Sequence, residues 1–275
     1  MTRIALFQST TGTDPVANSR ALIDAVEQAA AGGAEILFTP EMSGLLDRDS
    51  ARAAKVLRPQ DEDFVLAACR AAARQNRIWL HIGSLAVLVE DGKVANRGFV
   101  IDREGEVRGA YDKLHLFDVD LPTGESWRES NVYSAGTGVV LVNGTPIGKL
   151  GLTICYDLRF PGLFARLAES DADVIAVPAA FTVPTGKAHW HVLLRARAIE
   201  AGLFVVAAAQ VGHHEDGRMT FGHSLVIDPW GEILLDMGDE SGVGFADIDL
   251  KRISDVRSRI PALNHRRPIP DAVTL

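Results

Sequence analysis

The 275 residues are enough for one large core, which at this length buries roughly three quarters of the unfolded surface without staples. Apolar residues at 47% and charged residues at 23% give an ordinary globular balance, and a net charge of −8 without an acidic tail or basic patch argues against nucleic acid or an anionic membrane as main partner. Two cysteines exclude a disulfide framework and fit a reducing, cytoplasmic setting.

Met1-Thr2-Arg3 leads directly into a buried strand over Arg3–Gln8, with no signal-peptide core before it. Asp14-Pro15 supplies an N-cap and a first-turn proline for a helix whose apolar face is Leu22, Ile23, Val26, Ala29 and Ala30 and which stops at Gly32-Gly33. Ala34–Thr39 reads as a second buried strand ending at Pro40-Glu41. Asp61–Gln75 reads as a helix with a stripe of Phe64, Val65, Ala68, Cys69 and Ala72, which makes Cys69 a core residue. Arg77–Glu90 and Lys93–Ile101 flank Asp91-Gly92 as a two-residue hairpin, and a turn at Arg103-Glu104-Gly105 leads into a strand over Val107–Lys113.

The order then recurs: a strand over Lys149–Cys155, a helix after Pro161, a strand over Asp173–Ala179, a helix over Ala188–Ala201, a strand over Leu203–Gln210 and a hairpin turn at Pro229-Trp230-Gly231. The longest apolar stretch, Gly202 to Val211, is far short of the ~20 residues a membrane helix needs. Two phrases repeat in the same order. Ala34-Glu35-Ile36-Leu37-Phe38-Thr39-Pro40 answers Ala172-Asp173-Val174-Ile175-Ala176-Val177-Pro178, and Val100-Ile101-Asp102-x-x-Gly105-Glu106-Val107 answers Val226-Ile227-Asp228-x-x-Gly231-Glu232-Ile233. Two similar halves, each a mixed sheet with helices on one face, must cover each other's bare face. The expected fold is therefore an α/β, four-layer α-β-β-α sandwich. No linker divides it, so residues 1–275 read as a single domain, with 250–275 a C-terminal helix and tail.

In open α/β layers, reactive groups gather at the carboxyl ends of strands. Glu41, Lys113 and Cys155 fall at such ends. Cys155 also precedes a helix start, where partial positive charge favours a thiolate. A carboxylate at Glu41 can take the thiol proton during attack on an amide carbon. The Lys113 ammonium and a backbone N–H just after Cys155 can hold the oxyanion.

Phe38-Thr39-Pro40-Glu41, Tyr111-Asp112-Lys113-Leu114-His115-Leu116 and Ile154-Cys155-Tyr156-Asp157-Leu158-Arg159-Phe160-Pro161 resemble the three signatures of the nitrilase superfamily of carbon–nitrogen hydrolases. The resemblance implies a cofactor-independent amidase with a Glu–Lys–Cys triad at Glu41, Lys113 and Cys155. It also implies a second glutamate, Glu129, the same sandwich, and dimers paired through the helices beside the nucleophile. The chain is most similar to the branch of ω-amidases and deaminated-glutathione amidases. Thr185–Trp190 and Leu194–Glu200 suit both groups. Arg128–Asn131, Ala207–Gln210 and His265–Pro268 resemble the deaminated-glutathione amidase, whereas His115–Pro122 resembles the ω-amidase, which acts on α-ketoglutaramate and α-ketosuccinamate. Lys187 and His191 stand where both groups are expected to carry Pro and Glu.

Position nominates Tyr156, Arg159, Phe181 and Thr182 as substrate-binding, Arg159 through bidentate contact with a substrate carboxylate or, instead, as an ion-pair partner of Asp157 or another local acid. His189-x-His191 and His213-His214 lack the further ligands of a metal site, so no metal is expected. No Gly-rich phosphate loop is present. A metal-dependent phosphoesterase would need more Asp, Asn and His ligands than Asp157 and His223 supply, and a non-catalytic interaction module would have no need of Glu41, Lys113 and Cys155 together.

Overall fold

The computed structural model describes residues 1–120, 124 and 126–274; Leu121 and Pro122 of the ω-amidase-like segment lie outside them. Thr2–Gln8, Ile36–Phe38 and Trp79–Leu88 run parallel at the centre of the first sheet. Gly242–Ile248 joins one edge antiparallel to Thr2–Gln8, and Val94–Ile101 and Val107–Asp112 extend the other, with the short Tyr133–Ser134 beside Val94–Ile101. In the second sheet Gly148–Leu152, Val174–Ala176 and Phe204–Ala207 are the parallel centre. Leu141–Thr145 closes one edge, and Leu225–Ile227 and Ile233–Asp236 the other. Apart from Tyr133–Ser134, which has no counterpart, the two sheets share one order and one pattern of directions.

Alternation along the strands sets the layers. Ile4, Leu6, Ile36 and Phe38 point into a core that is continuous with Leu150, Leu152, Val174 and Phe204 of the second sheet and with the helices Pro161–Glu169 and Val183–Ala201. Their neighbours Ala5, Leu37, Leu80 and Ile82 point the other way, onto the helices Pro15–Ala31 and Phe64–Asn76. The result is the four-layer sandwich. At its centre a Cβ on Gly83 would collide with the carbonyls of Thr39 and Pro40 and with Pro178, so the two proline-ended strands meet where no side chain fits.

The repeated phrases have repeated structures. Asp102 accepts the N–H groups of Glu104 and Glu106 at 3.0 and 2.9 Å, and Asp228 accepts those of Trp230 and Glu232 at 2.8 Å each. Gly105 and Gly231 take φ +81° and +87° in the matching turns.

Several boundaries move for local reasons. Asp14 caps the helix Pro15–Ala31 through the Val16 N–H and Asp63 the helix Phe64–Asn76 through Leu66, so Asp61 falls in a separate turn before it. Phe64, at the first position, is 44% exposed and leaves the apolar stripe. Arg77 is not strand but the left-handed cap of that helix at φ +52°. Asp91-Gly92 is part of a single-turn 3₁₀ segment, Glu90–Gly92, closed by the Val89 N–H on the Lys93 carbonyl, rather than a two-residue hairpin. The helix expected from Ala188 begins at Val183 with Pro184 in its first turn, a position that needs no N–H. The closing strand Gly242–Ile248 precedes the final helix Lys251–Arg259.

Candidate active site

Glu41, Lys113 and Cys155 each follow a strand by one to three residues, and the two-sheet packing brings them together. All are buried, at 5%, 2% and 8% exposure. Lys113 Nζ donates to Glu41 Oε1 at 2.9 Å and to Glu129 Oε2 at 2.9 Å. The Cys155 side chain is close enough to Glu41 for the two to interact, and the Ala180 N–H, at the end of the second sheet, donates to Glu41 Oε2 at 3.0 Å. Glu129 is held from a third side by the Phe117 N–H at 2.6 Å.

Two supports carried no signal read from the sequence. Asn96, buried on the strand Val94–Ile101, donates through Nδ2 to Glu41 at 3.0 Å and to Glu129 at 3.1 Å. Its signal was an amide whose side chain falls on a buried position of the strand. Asp157, fully buried, accepts from the Tyr111 hydroxyl at 2.7 Å, from the Ile154 N–H at 2.9 Å and from the His115 N–H at 3.1 Å, with the His115 ring nitrogen 2.6 Å away. The lysine-bearing and cysteine-bearing segments are thereby tied through one carboxylate. Cys155 itself takes φ +49°, rare for a residue with a Cβ, at the start of the 3₁₀ turn Cys155–Arg159; its N–H donates to the Pro178 carbonyl at 2.8 Å. The following N–H, of Tyr156, is in a first turn, where no intrahelical acceptor exists.

Electrostatics correct one expectation. Burial pushes the Cys155 thiol well above its ordinary range and the adjacent Glu41 charge adds to this, while Lys113 opposes both. These influences favour the protonated thiol, against the thiolate that the helix start alone would favour. Burial would raise the Glu41 carboxyl, but Lys113 and the hydrogen bonds to it outweigh burial and hold it below its usual value. For Lys113, burial favours loss of the proton, but the flanking Glu129 and Glu41 prevail and keep it an ammonium.

The substrate-binding candidates lie on one side. Tyr156 packs edge-on to Phe117 and Phe160 at 5.1 and 5.3 Å. The Arg159 guanidinium lies 5.9 Å from the Tyr156 ring and 5.6 Å from that of Phe181. Asp157 is occupied elsewhere, and among the described residues no carboxylate is within ion-pair distance of Arg159; its contact is His189 at 3.4 Å. Thr182 turns its hydroxyl to Thr185 at 2.8 Å as the helix begins. His214 is structural, its two ring nitrogens taken by the Thr11 carbonyl and the Thr220 hydroxyl. His191, set aside for want of ligands, does gain neighbours: His223 and Asp236 reach it from other elements.

The chain belongs to the carbon–nitrogen hydrolase family, whose model matches residues 3–258, with its buried carboxylate, ammonium and thiol at the carboxyl ends of two stacked mixed sheets. It is an amide-directed enzyme of the nitrilase superfamily. Among individual relatives, the deaminated glutathione amidase of Dictyostelium discoideum is 39% identical over 96% of this chain and 94% of its own. The crystal structure of the Caenorhabditis elegans NitFhit protein superposes at TM-score 0.89 with 38% identity, covering 97% of this chain; this chain spans 65% of that longer one. A variant of an amidase from Nesterenkonia sp. AN1, with acrylamide added at its active-site cysteine, gives TM-score 0.80 at 26% identity over 95% of this chain and 98% of its own.

Proposed function

We propose that the chain hydrolyses a small linear amide whose acyl side ends in a carboxylate, deaminated glutathione foremost, through a thioester on Cys155. The observation that carries this reading is that Glu41 receives Lys113, Asn96 and the Ala180 N–H in one buried cluster, with the Cys155 side chain close enough to interact with it. Glu41 takes the thiol proton as sulfur attacks the amide carbon. The Lys113 ammonium and the Tyr156 N–H face the developing oxyanion, where one such donor is worth about 3–4 kcal/mol. Glu129 positions Lys113. Glu41 then returns the proton to the leaving amine, and a water activated by the same carboxylate releases the acid. No cofactor enters any step.

Arg159, without a carboxylate partner among the described residues and lying over two aromatic rings, takes the substrate carboxylate, with Tyr156, Phe181 and Thr182 forming the wall. The same reading includes a single catalytic domain, a cytoplasmic site of action and a homodimer. The dimer would cover Val192 and Ile199, exposed on the helix Val183–Ala201, and is checked by sedimentation. Among the described residues no helix is long and apolar enough to cross a membrane.

The test is a comparison of deaminated glutathione with α-ketoglutaramate by cysteinylglycine and ammonia release. The expected result is a higher kcat/KM for deaminated glutathione, with Arg159→Lys raising KM by about tenfold for both acids through loss of the bidentate contact. Preference for α-ketoglutaramate moves the chain to the ω-amidases, and an unchanged KM removes Arg159 from the site.

A further inference from the structure

Apart from the buried cluster, one group of side chains on the second sheet is arranged for a ligand. His191 comes from the helix Val183–Ala201, Asp236 ends the strand Ile233–Asp236, and His223 lies between the strands Met219–Phe221 and Leu225–Ile227. His191 Nε2 is 3.0 Å from Asp236 Oδ2, and His223 Nδ1 is 2.8 Å from Asp236 Oδ1. The ligand atoms of all three lie within 4.8 Å of one another. We propose that His191, His223 and Asp236 form a binding site for a first-row divalent cation of the Zn²⁺ type, separate from the amide-hydrolysing cluster.

The distances suit this. Donors bound about 2.0–2.2 Å from a metal at right-angled to tetrahedral angles stand about 2.8–3.5 Å apart, so the spacing of nitrogen and oxygen is already that of neighbouring ligands. Two imidazoles and a carboxylate match a borderline cation rather than Ca²⁺ or Mg²⁺. An imidazole ligates through a nitrogen that carries no proton, and each ring can present its inward nitrogen in that form by holding its proton on the other one. The three side chains are about one-third exposed, at 32%, 28% and 33%, which leaves room for water to complete the coordination.

The rings are also held in place without a metal. His223 has φ +54°, its N–H donates to the Gly238 carbonyl at 2.6 Å, and its own carbonyl accepts the Trp190 indole N–H at 2.8 Å. Phe221 stacks on the His223 ring at 4.5 Å and meets the His191 ring edge-on at 6.1 Å. Asp236 is oriented by the Gly238 N–H at 2.9 Å. The Phe221 N–H donates to the Phe181 carbonyl at 3.0 Å, so a cation here clamps, from behind, the wall on which Arg159 rests. Lys187 and Arg195 flank His191 one helical turn away on either side and lower the affinity without occupying the site.

The experiment is calorimetric titration of the full chain, stripped with EDTA, with Zn²⁺ alone as probe. It is run in parallel on Cys155→Ala, so that the thiol is not a competing ligand. One equivalent is expected in both. His191→Gln and the isosteric Asp236→Asn are each expected to weaken binding at least tenfold while still unfolding cooperatively without metal. At Zn²⁺ about one hundred times Kd the unsubstituted chain gains ~5 °C in Tm and the variants do not. Absence of saturable uptake in the Cys155→Ala chain, or uptake unaltered by Asp236→Asn, overturns the site and leaves the two imidazoles as plain hydrogen-bond donors to Asp236.

Discussion

On the proposed reading Glu41 is charged at rest and carries a proton during turnover. The Lys113 and Asn96 bonds to Oε1 and the Ala180 bond to Oε2 stabilise the anion, while burial keeps its proton affinity from collapsing. Because its proton affinity is lowered, activity is complete above the ordinary carboxylate value of 4.5 and falls only as pH drops through the lower folded value. The raised Lys113 keeps its charge through the alkaline range, so no loss is expected on that side before the protein itself unfolds. A kcat/KM profile with its acid limb below pH 4.5 is the expected outcome. A limb centred near about pH 6–7 would mean that a different group accepts the thiol proton. Glu41, Lys113 and Cys155 were legible in the sequence as candidates because each sits at a strand end beside an unusual phrase. Asn96 and the orienting role of Asp157 were not, since a buried hydrogen bond between distant strands leaves no local periodicity.

Elements that repeat in sequence repeat in hydrogen bonding. The buried Asp102 and Asp228 each hold two N–H groups of a hairpin turn, and Asp228 also accepts Arg252 Nε at 2.9 Å. Replacing either with Ala leaves two turn donors without that acceptor and is expected to destabilise by ~1–2 kcal/mol. Thermal unfolding should therefore show a similar fall in Tm for both, at least as large for Asp228→Ala. A Tm unchanged in one and lowered in the other would deny that the turns are equivalent. Strands and helices with caps, prolines and clear periodicity were readable to within a few residues. The short strands Leu141–Thr145, Val211–His213 and Met219–Phe221 were not, because they owe their pairing to tertiary partners rather than to an alternating pattern.

At the scale of the whole molecule, the stacking of two like sheets does what neither half can do alone. Glu41 and Lys113 come from the first sheet, Cys155 and the Ala180 N–H from the second, and Pro40 and Pro178 meet around Gly83 between them. The fold class followed from the repeat, since each half presents an apolar face that only the other can cover. The edge strand Gly242–Ile248 escaped notice because it returns from the far end of the chain to pair with Thr2–Gln8, a long-range contact invisible in local composition. Convergence of the two halves on one sulfur is the central claim, and trapping by hydroxylamine during amide turnover tests it most directly. The account predicts hydroxamate from the unsubstituted chain and from Cys69→Ala, and a loss of about 10⁴-fold or more in Cys155→Ala with folding intact. Hydroxamate or full turnover persisting in Cys155→Ala would contradict it.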